Sequence, residues 1–326
     1  MNRRKGMCVI AGIAAASVLA AETCFGGADA QSRYLGGDGM PYDAFDALPK
    51  TTILAGTSRI LVGFAPGQIA LSRAQIFDWI EKASRAVGAY YGRFPVDSVR
   101  LLIVPVEGSG VLGGTTWGYR GAAIRILLGD EADADDLDAD WKMTHEMVHL
   151  ALPDMDQRYN WLSEGFAVYI EPVARVQAGL LKAPDIWRDM VRDMPKGLPR
   201  HGDAGLDNTP TWGRIYWGGA MFCLLADVDM RRRTNNRLGL QDAMRGVLAA
   251  GGNHEVDWPI RKILATADKT VGLTVLTDMY ERMRATPVSP DLATLWRELG
   301  VENAPNLRDD APLAAVRDAI TRSRSN

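Results

Sequence analysis

The sequence predicts an α+β fold: a mixed α/β N-terminal lobe with a small sheet, followed by an all-helical C-terminal lobe. Three observations carry this expectation. Strand-length apolar or alternating runs, at Thr51 to Phe64, Val99 to Val106 and Ala123 to Leu128, all lie before Gly129. After Thr211 apolar residues recur at helical spacing through one segment after another. Between the two regions, His145 and His149 stand four residues apart, a spacing that puts both on one face of a helix.

Gln31 to Pro49 is rich in Gly and Asp and is expected to be an irregular lead-in. Thr51 to Phe64 alternates well enough for one or two strands, with Gly56 and Gly63 at the bends. Ser72 to Tyr91 reads as a helix: Ser72 and Gln75 form a capping box, Ile76, Ile80, Ala83 and Val87 mark the buried face, and Gly92 stops it. Val99 to Val106 is apolar almost without interruption, as in a strand buried on both faces. Ala123 to Leu128 is a second strand, alternating around Arg125.

The acidic run Glu131, Asp133, Asp135, Asp136, Asp138 and Asp140 lacks the Gly and terminal Glu of an EF-hand loop. It reads as a solvated approach to a helix N-terminus, where the helix dipole favours anions. That helix is expected over Asp140 to Leu152, ended by Pro153. A further helix starts near Ser163 and is bent or ended near Pro172; Lys182 to Asn208 is a loop region with a short helix near Trp187. Helices are then expected over Ile215–Arg232, Leu240–Ala249, Pro259–Ala267, Leu273–Arg284, Pro290–Leu299 and Pro312–Thr321.

The net charge of -3 suggests no polyanionic partner, and nucleic acid is not expected. Arg231, Arg232 and Arg233 read as the cationic end of a helix. Residues 1–30 read as an export signal: Arg3, Arg4 and Lys5, an Ala-rich apolar core from Met7 to Ala21, and a small-x-small cleavage site at Ala28-Asp29-Ala30. Cleavage after Ala20 and retention as an anchor remain open alternatives, although the apolar run is short for a membrane span. The mature chain is expected to be secreted or periplasmic, with no stable membrane span. With cleavage after Ala30, Cys8 and Cys24 leave with the signal, so Cys223 stands alone and no intramolecular disulfide is expected.

The histidine pair belongs to His145-Glu146-Met147-Val148-His149, an H-E-x-x-H pattern, and two of the chain's four histidines lie in it. Two imidazoles at this spacing can converge on one tetrahedral Zn²⁺, and Glu164 supplies a candidate third ligand. A catalytic zinc keeps its fourth position for water and lowers the pKa of that water. Glu146 points off the ligand face, placed to act as general base. His201 and His254 have no spaced partners and are expected at the surface or in the core.

The block Trp161-Leu162-Ser163-Glu164-Gly165-Phe166-Ala167 resembles the W-L-x-E-G-[FL]-A element of the aminopeptidase N family of zinc peptidases. The stretch Ile215-Tyr216-Trp217-Gly218-Gly219-Ala220, running on to Arg232-Arg233-Thr234, resembles a segment of the glycyl aminopeptidases. This places the chain near the gluzincins, whose third zinc ligand is a glutamate. The three-histidine alternative is excluded, because Met155 stands where its third histidine would be. The resemblance implies a thermolysin/gluzincin-like fold with the zinc helix in the cleft. Residues 31–155 would form the α/β lobe and 156–326 the helical lobe, together one peptidase domain. It also implies one catalytic Zn²⁺ on His145, His149 and Glu164, Glu146 as base, and Tyr216 as donor to the oxyanion; the bland alternative for Tyr216 is a buried tyrosine with its hydroxyl satisfied. The His149–Glu164 gap is shorter than in the aminopeptidase N family. Where those enzymes carry a Gly-rich segment with an amine-gripping glutamate, this chain has Gly113-Gly114-Thr115-Thr116-Trp117-Gly118. The expected function is therefore an exported zinc metallopeptidase acting on peptides or proteins. Two alternatives stay open: an aminopeptidase using another amine-binding group, with Glu107 and Glu171 as candidates, and a non-catalytic zinc-stabilised binding module.

Overall fold

The computed structural model describes residues 32–35 and 39–323, so the expected export signal, with Cys8 and Cys24, lies outside the described residues. A five-stranded sheet has the spatial order β1-β2-β3-β5-β4. It comprises β1 (Lys50–Ala55), β2 (Ser58–Phe64), β3 (Ser98–Val106), β4 (Val111–Trp117) and β5 (Ala123–Gly129). β1 and β2 form an antiparallel hairpin turning at Gly56, whose φ of 64° suits a residue without Cβ. β2, β3 and β5 run parallel, and β4 lies antiparallel to β5 at the far edge.

β3 explains its own apolar run. Leu101 and Ile103 face the main core, whereas Leu102 and Val104 face a second cluster with Tyr34, Met40, Tyr42 and Phe45. Both faces of the strand are thus covered. The lead-in that covers the second face contains a short helix, α1 (Tyr42–Asp46), where an irregular segment was expected. Its Phe45 and Tyr42 bury against the sheet, a tertiary reward that local composition does not advertise. Gly63 is likewise no bend. It pairs in register with Lys50, and a Cβ there would fall 2.8 Å from the Phe45 ring, so glycine lets α1 lie on the strand.

α2 (Arg73–Tyr91) has the expected capping box. The Ser72 hydroxyl accepts from Gln75 N–H, Gln75 Oε1 accepts from Ser72 N–H, and Gly92 closes the helix at φ 80°. The acidic run forms α3 (Ala134–Ala139), capped by Asp133. α4 (Lys142–His149) carries the histidine pair and α5 (Asn160–Gln177) carries Glu164. α5 continues past Pro172, so it does not end there, one of the two outcomes expected. It is buried along nearly its whole length between α2, α4 and the helices that follow, and this packing outweighs the lost backbone bond.

The remainder is helical: α6 (Ala183–Asp193), a π turn (Arg214–Gly218) continuing into α7 (Gly219–Arg233), then α8 (Leu240–Ala249), α9 (Ile260–Val271), α10 (Val275–Met283), α11 (Leu292–Leu299) and α12 (Ala314–Thr321). The arginine run does end α7, but Arg231 is buried on Asp227 at 2.8 Å and serves the core. Cys223 is a free, buried thiol in the same helix. Among the described residues no helix is long and apolar enough to cross a membrane.

Candidate metal centre and active site

α4 is set in place by Asp140. Its carboxylate accepts from the backbone N–H groups of Lys142 and Met143, each at 3.0 Å, and from Trp79 Nε1–H at 3.2 Å. This satisfies two of the helix's free N-terminal donors and ties the helix to α2. The helix then points His145 and His149 toward α5.

α5 meets α4 through Glu164. Glu164 Oε2 lies 3.2 Å from His145 Nε2 and 3.7 Å from His149 Nε2. The three side chains are buried, and the ligand atoms lie within 4.8 Å of one another. The structure thus brings together the three residues expected as ligands. Their chemistry fits a zinc ion: two imidazole nitrogens and one carboxylate oxygen, one short of a tetrahedral set. Hydrogen bonding selects the ligating nitrogen of His149. Its Nδ1 lies 3.1 Å from Ser163 Oγ, which leaves Nε2 facing Glu164. Burial and the nearby His145 hold His149 well below its ordinary pKa, hence neutral as a ligand must be. At His145 burial opposes charge, but the Glu164 hydrogen bond and surrounding carboxylates raise its pKa. The place between His145 and Glu164 therefore attracts a positive charge.

Glu146 faces the other way, toward β4. The Thr116 hydroxyl lies 2.7 Å from Glu146 Oε2, to which it donates, and 2.9 Å from the Glu146 carbonyl oxygen. Gly114 stands opposite: a Cβ there would fall 2.6 Å from Glu146 Cγ and 2.8 Å from Oε1. The Gly-rich segment thus makes room for the carboxylate. Burial pushes Glu146 up to about 7, against the opposing pull of His145 and of the Thr116 hydrogen bond. Thr116 is a partner of Glu146 that the motifs did not reveal. A lone threonine in a strand carries no sequence signal; only the 2.7 Å contact gives it a role.

Tyr216 lies in the π turn, buried, with Trp212 stacked on it at 5.8 Å. Two glycines bring its segment to α5. A Cβ on Gly165 would collide with the Gly219 backbone, and one on Gly219 with the Trp161 carbonyl. The residues next to Glu164 and one turn beyond Tyr216 therefore touch backbone to backbone. A π turn at such a place is a frequent companion of functional sites.

The other candidates fall outside this cluster. Glu171 is buried and ion-paired with Arg175 at 3.0 Å, and burial raises its pKa to about 7. Glu107 is exposed in the turn between β3 and β4. The Glu171 charge still reaches His145, whose pKa it helps to raise. His201 is exposed; His254 is buried, with Nδ1 3.2 Å from the Leu152 carbonyl. Trp141, just before α4, sets its ring against His145 at 5.2 Å.

No family model matches the chain, and no curated protein matches it. Solved structures do. An aminopeptidase N family protein from Idiomarina loihiensis superposes with a TM-score of 0.58 at 14% identity, covering 78% of this chain and 49% of that one. The chain shares the fold of the matched part of that protein. An M1 zinc metallopeptidase from Deinococcus radiodurans superposes with a TM-score of 0.48 at 13% identity, over 75% of this chain and 54% of that one. The chain thus spans about half the length of these structures. The α+β architecture expected from the sequence is the fold of that aminopeptidase N family protein over the matched residues.

Proposed function

We propose that the protein is an exported zinc-dependent metallopeptidase that hydrolyses peptide bonds in peptides or proteins, with residues 31–155 and 156–326 forming one peptidase domain. The observation that carries this reading is the convergence of His145 Nε2, His149 Nε2 and Glu164 Oε2, with Glu146 beside them on the β4 side. His145, His149 and Glu164 would hold the ion. Zinc held there supplies Lewis acidity to the scissile carbonyl and to the attacking water. Glu146 takes the proton of that water and later delivers it to the leaving amine; a carboxylate pushed up to about 7 by burial suits both directions of transfer. Thr116 holds Glu146 in place through its hydroxyl. Tyr216 donates a hydrogen bond to the developing oxyanion. β4 is the last strand at its end of the sheet among the described residues, the place where an extended peptide would pair. Export rests on the basic, apolar and small-residue pattern of residues 1–30.

The test is hydrolysis of a peptide library by the zinc-loaded protein and by its Glu146→Gln variant. The wild type is expected to cleave, and the variant to keep its zinc and lose turnover by about 10²–10⁴. Zinc bound without hydrolysis in either protein would leave a non-catalytic binding module.

A further inference from the structure

Next to the π turn, where Trp212 stacks on Tyr216, lies a cationic cleft of about 570 Å³. Lys196, Arg200, His201, Asp203, Trp212 and Arg214 line it. Its walls are built rather than loose. A Cβ on Gly197 would collide with the backbone of Trp217 and Gly218, and one on Gly213 with the Lys196 carbonyl, so the two sides press backbone on backbone. Asp207 anchors the intervening loop to the core, accepting from Trp161 Nε1–H at 3.0 Å and Tyr280 O–H at 2.9 Å.

The charges do not cancel. Arg214 is 3% exposed and ion-paired with Asp203 at 2.8 Å; its Nη1 donates to the Gly197 carbonyl at 2.6 Å, and its Nη2 has no hydrogen-bond acceptor. Lys196 belongs to a ladder along α6 in which Asp185, Asp189 and Asp193 balance Arg188, Arg192 and Lys196. Arg200 is exposed and enters no ion pair among the described residues, so the cleft carries a surplus positive charge. Trp212 adds an apolar wall. It is 57% exposed, an unusual position for an indole, and its ring lies on Tyr216. The charge and the aromatic face thus adjoin the residue assigned to the oxyanion.

We propose that this cleft is a substrate subsite that binds a carboxylate of the peptide, with Arg200 as its principal cation and Trp212 as the surface on which the chain lies. The carboxylate is either an acidic side chain or a free C-terminus, and the chemistry of recognition is the same for both. The proposal rests on the peptidase reading for its substrate class, but a binding measurement separates the two.

The experiment is fluorescence anisotropy of fluorescein-labelled peptides on the full chain, zinc-loaded, in three matched forms: one internal Glu with an amidated C-terminus, Gln in its place with the same amide, and Gln with a free C-terminus. At least one carboxylate-bearing peptide is expected to bind about tenfold tighter than the amidated Gln peptide, and which one does so identifies the source. Arg200→Glu, at an exposed position that the fold does not need, is expected to abolish that preference, and Arg200→Ala to reduce it. Trp212→Ala is expected to weaken all three peptides alike. Equal binding of the three peptides, or a preference that survives Arg200→Glu, overturns the subsite. A carboxylate preference lost in Arg200→Glu in a protein that hydrolyses no peptide supports the subsite while removing the peptidase reading.

Discussion

The two sides of the cleft are built differently. On the metal side, α4 and α5 are buried almost completely. Asp140 caps one helix, Ser163 orients His149, and Gly165 locks the other helix onto Gly219. His149 is held by Ser163 as well as facing Glu164, whereas His145 Nδ1 has no hydrogen-bond partner among the described residues. On the proposed substrate side stand an edge strand and a π turn, with Leu112 and, just before the turn, Trp212 left 45% and 57% exposed. A metal ligand must be fixed to within a fraction of an ångström, and only a packed interior over-determines a side chain that far. A substrate wall must instead remain open and partly apolar to receive a chain. On the proposed reading, the chemistry would be set by the core, and selectivity by surface residues that the core leaves free.

Four substitutions sharpen this contrast, from the largest expected effect to the smallest. Tyr216→Phe removes the proposed oxyanion donor while leaving the ring in its stack with Trp212. It is expected to lower kcat by about 10²–10³ with zinc content unchanged; steady-state kinetics that match the wild type would make Tyr216 a structural residue. Gly165→Ala strikes the metal side. The new Cβ forces α5 away from α7, with an expected loss of roughly 1–3 kcal/mol in denaturant unfolding and a weaker hold on zinc. Unchanged stability would mean that the Gly165–Gly219 contact is not the clamp described here.

Thr116→Val keeps the shape of β4 but removes the hydroxyl from Glu146. About a tenfold fall in kcat is expected, roughly 1.4 kcal/mol in the barrier, with a shifted pH profile and recovery in Thr116→Ser. A valine variant as active as the wild type would show that packing alone holds Glu146. The smallest effect is expected at His254, whose burial lowers its pKa from the usual 6.5. The unfolded chain then binds the proton more readily than the folded one. His254 therefore contributes stability that is present above about pH 6.5 and lost as the pH falls toward its folded pKa. Denaturant unfolding between pH 7 and 5 should show a shallower loss in His254→Gln than in the wild type. Parallel curves would remove His254 from the account.

The metal side was also the legible side. H-E-x-x-H and Glu164 announce themselves because coordination demands particular residue types at helical spacing. The capping box at Ser72 and Gln75, and the doubly buried β3, follow from equally local rules. What escaped the sequence depends on contacts between distant segments. α1 forms because Phe45 finds the sheet, and Gly63 serves that contact rather than a bend. Pro172 sits inside a helix because its neighbours hold it there. Thr116 matters through one hydrogen bond across thirty residues. The cleft around Arg200 and Trp212 exists only once residues 196–214 have folded back on the π turn, and a loop of Pro, Gly and Asp gives no hint of it. The short segment between His149 and Glu164 was expected to be tight, and it is closed by a brief turn (Gln157–Tyr159) leading straight into α5.

The most direct test of the account is zinc titration into the metal-stripped full chain, with peptide hydrolysis followed alongside, for the wild type, His149→Ala and Glu146→Gln. One zinc per chain is expected to restore cleavage in the wild type. His149→Ala should lose both the tight zinc and the cleavage, whereas Glu146→Gln should bind zinc as the wild type does and cleave nothing. Cleavage that needs no zinc, or that persists in Glu146→Gln, would contradict the assignment of this centre.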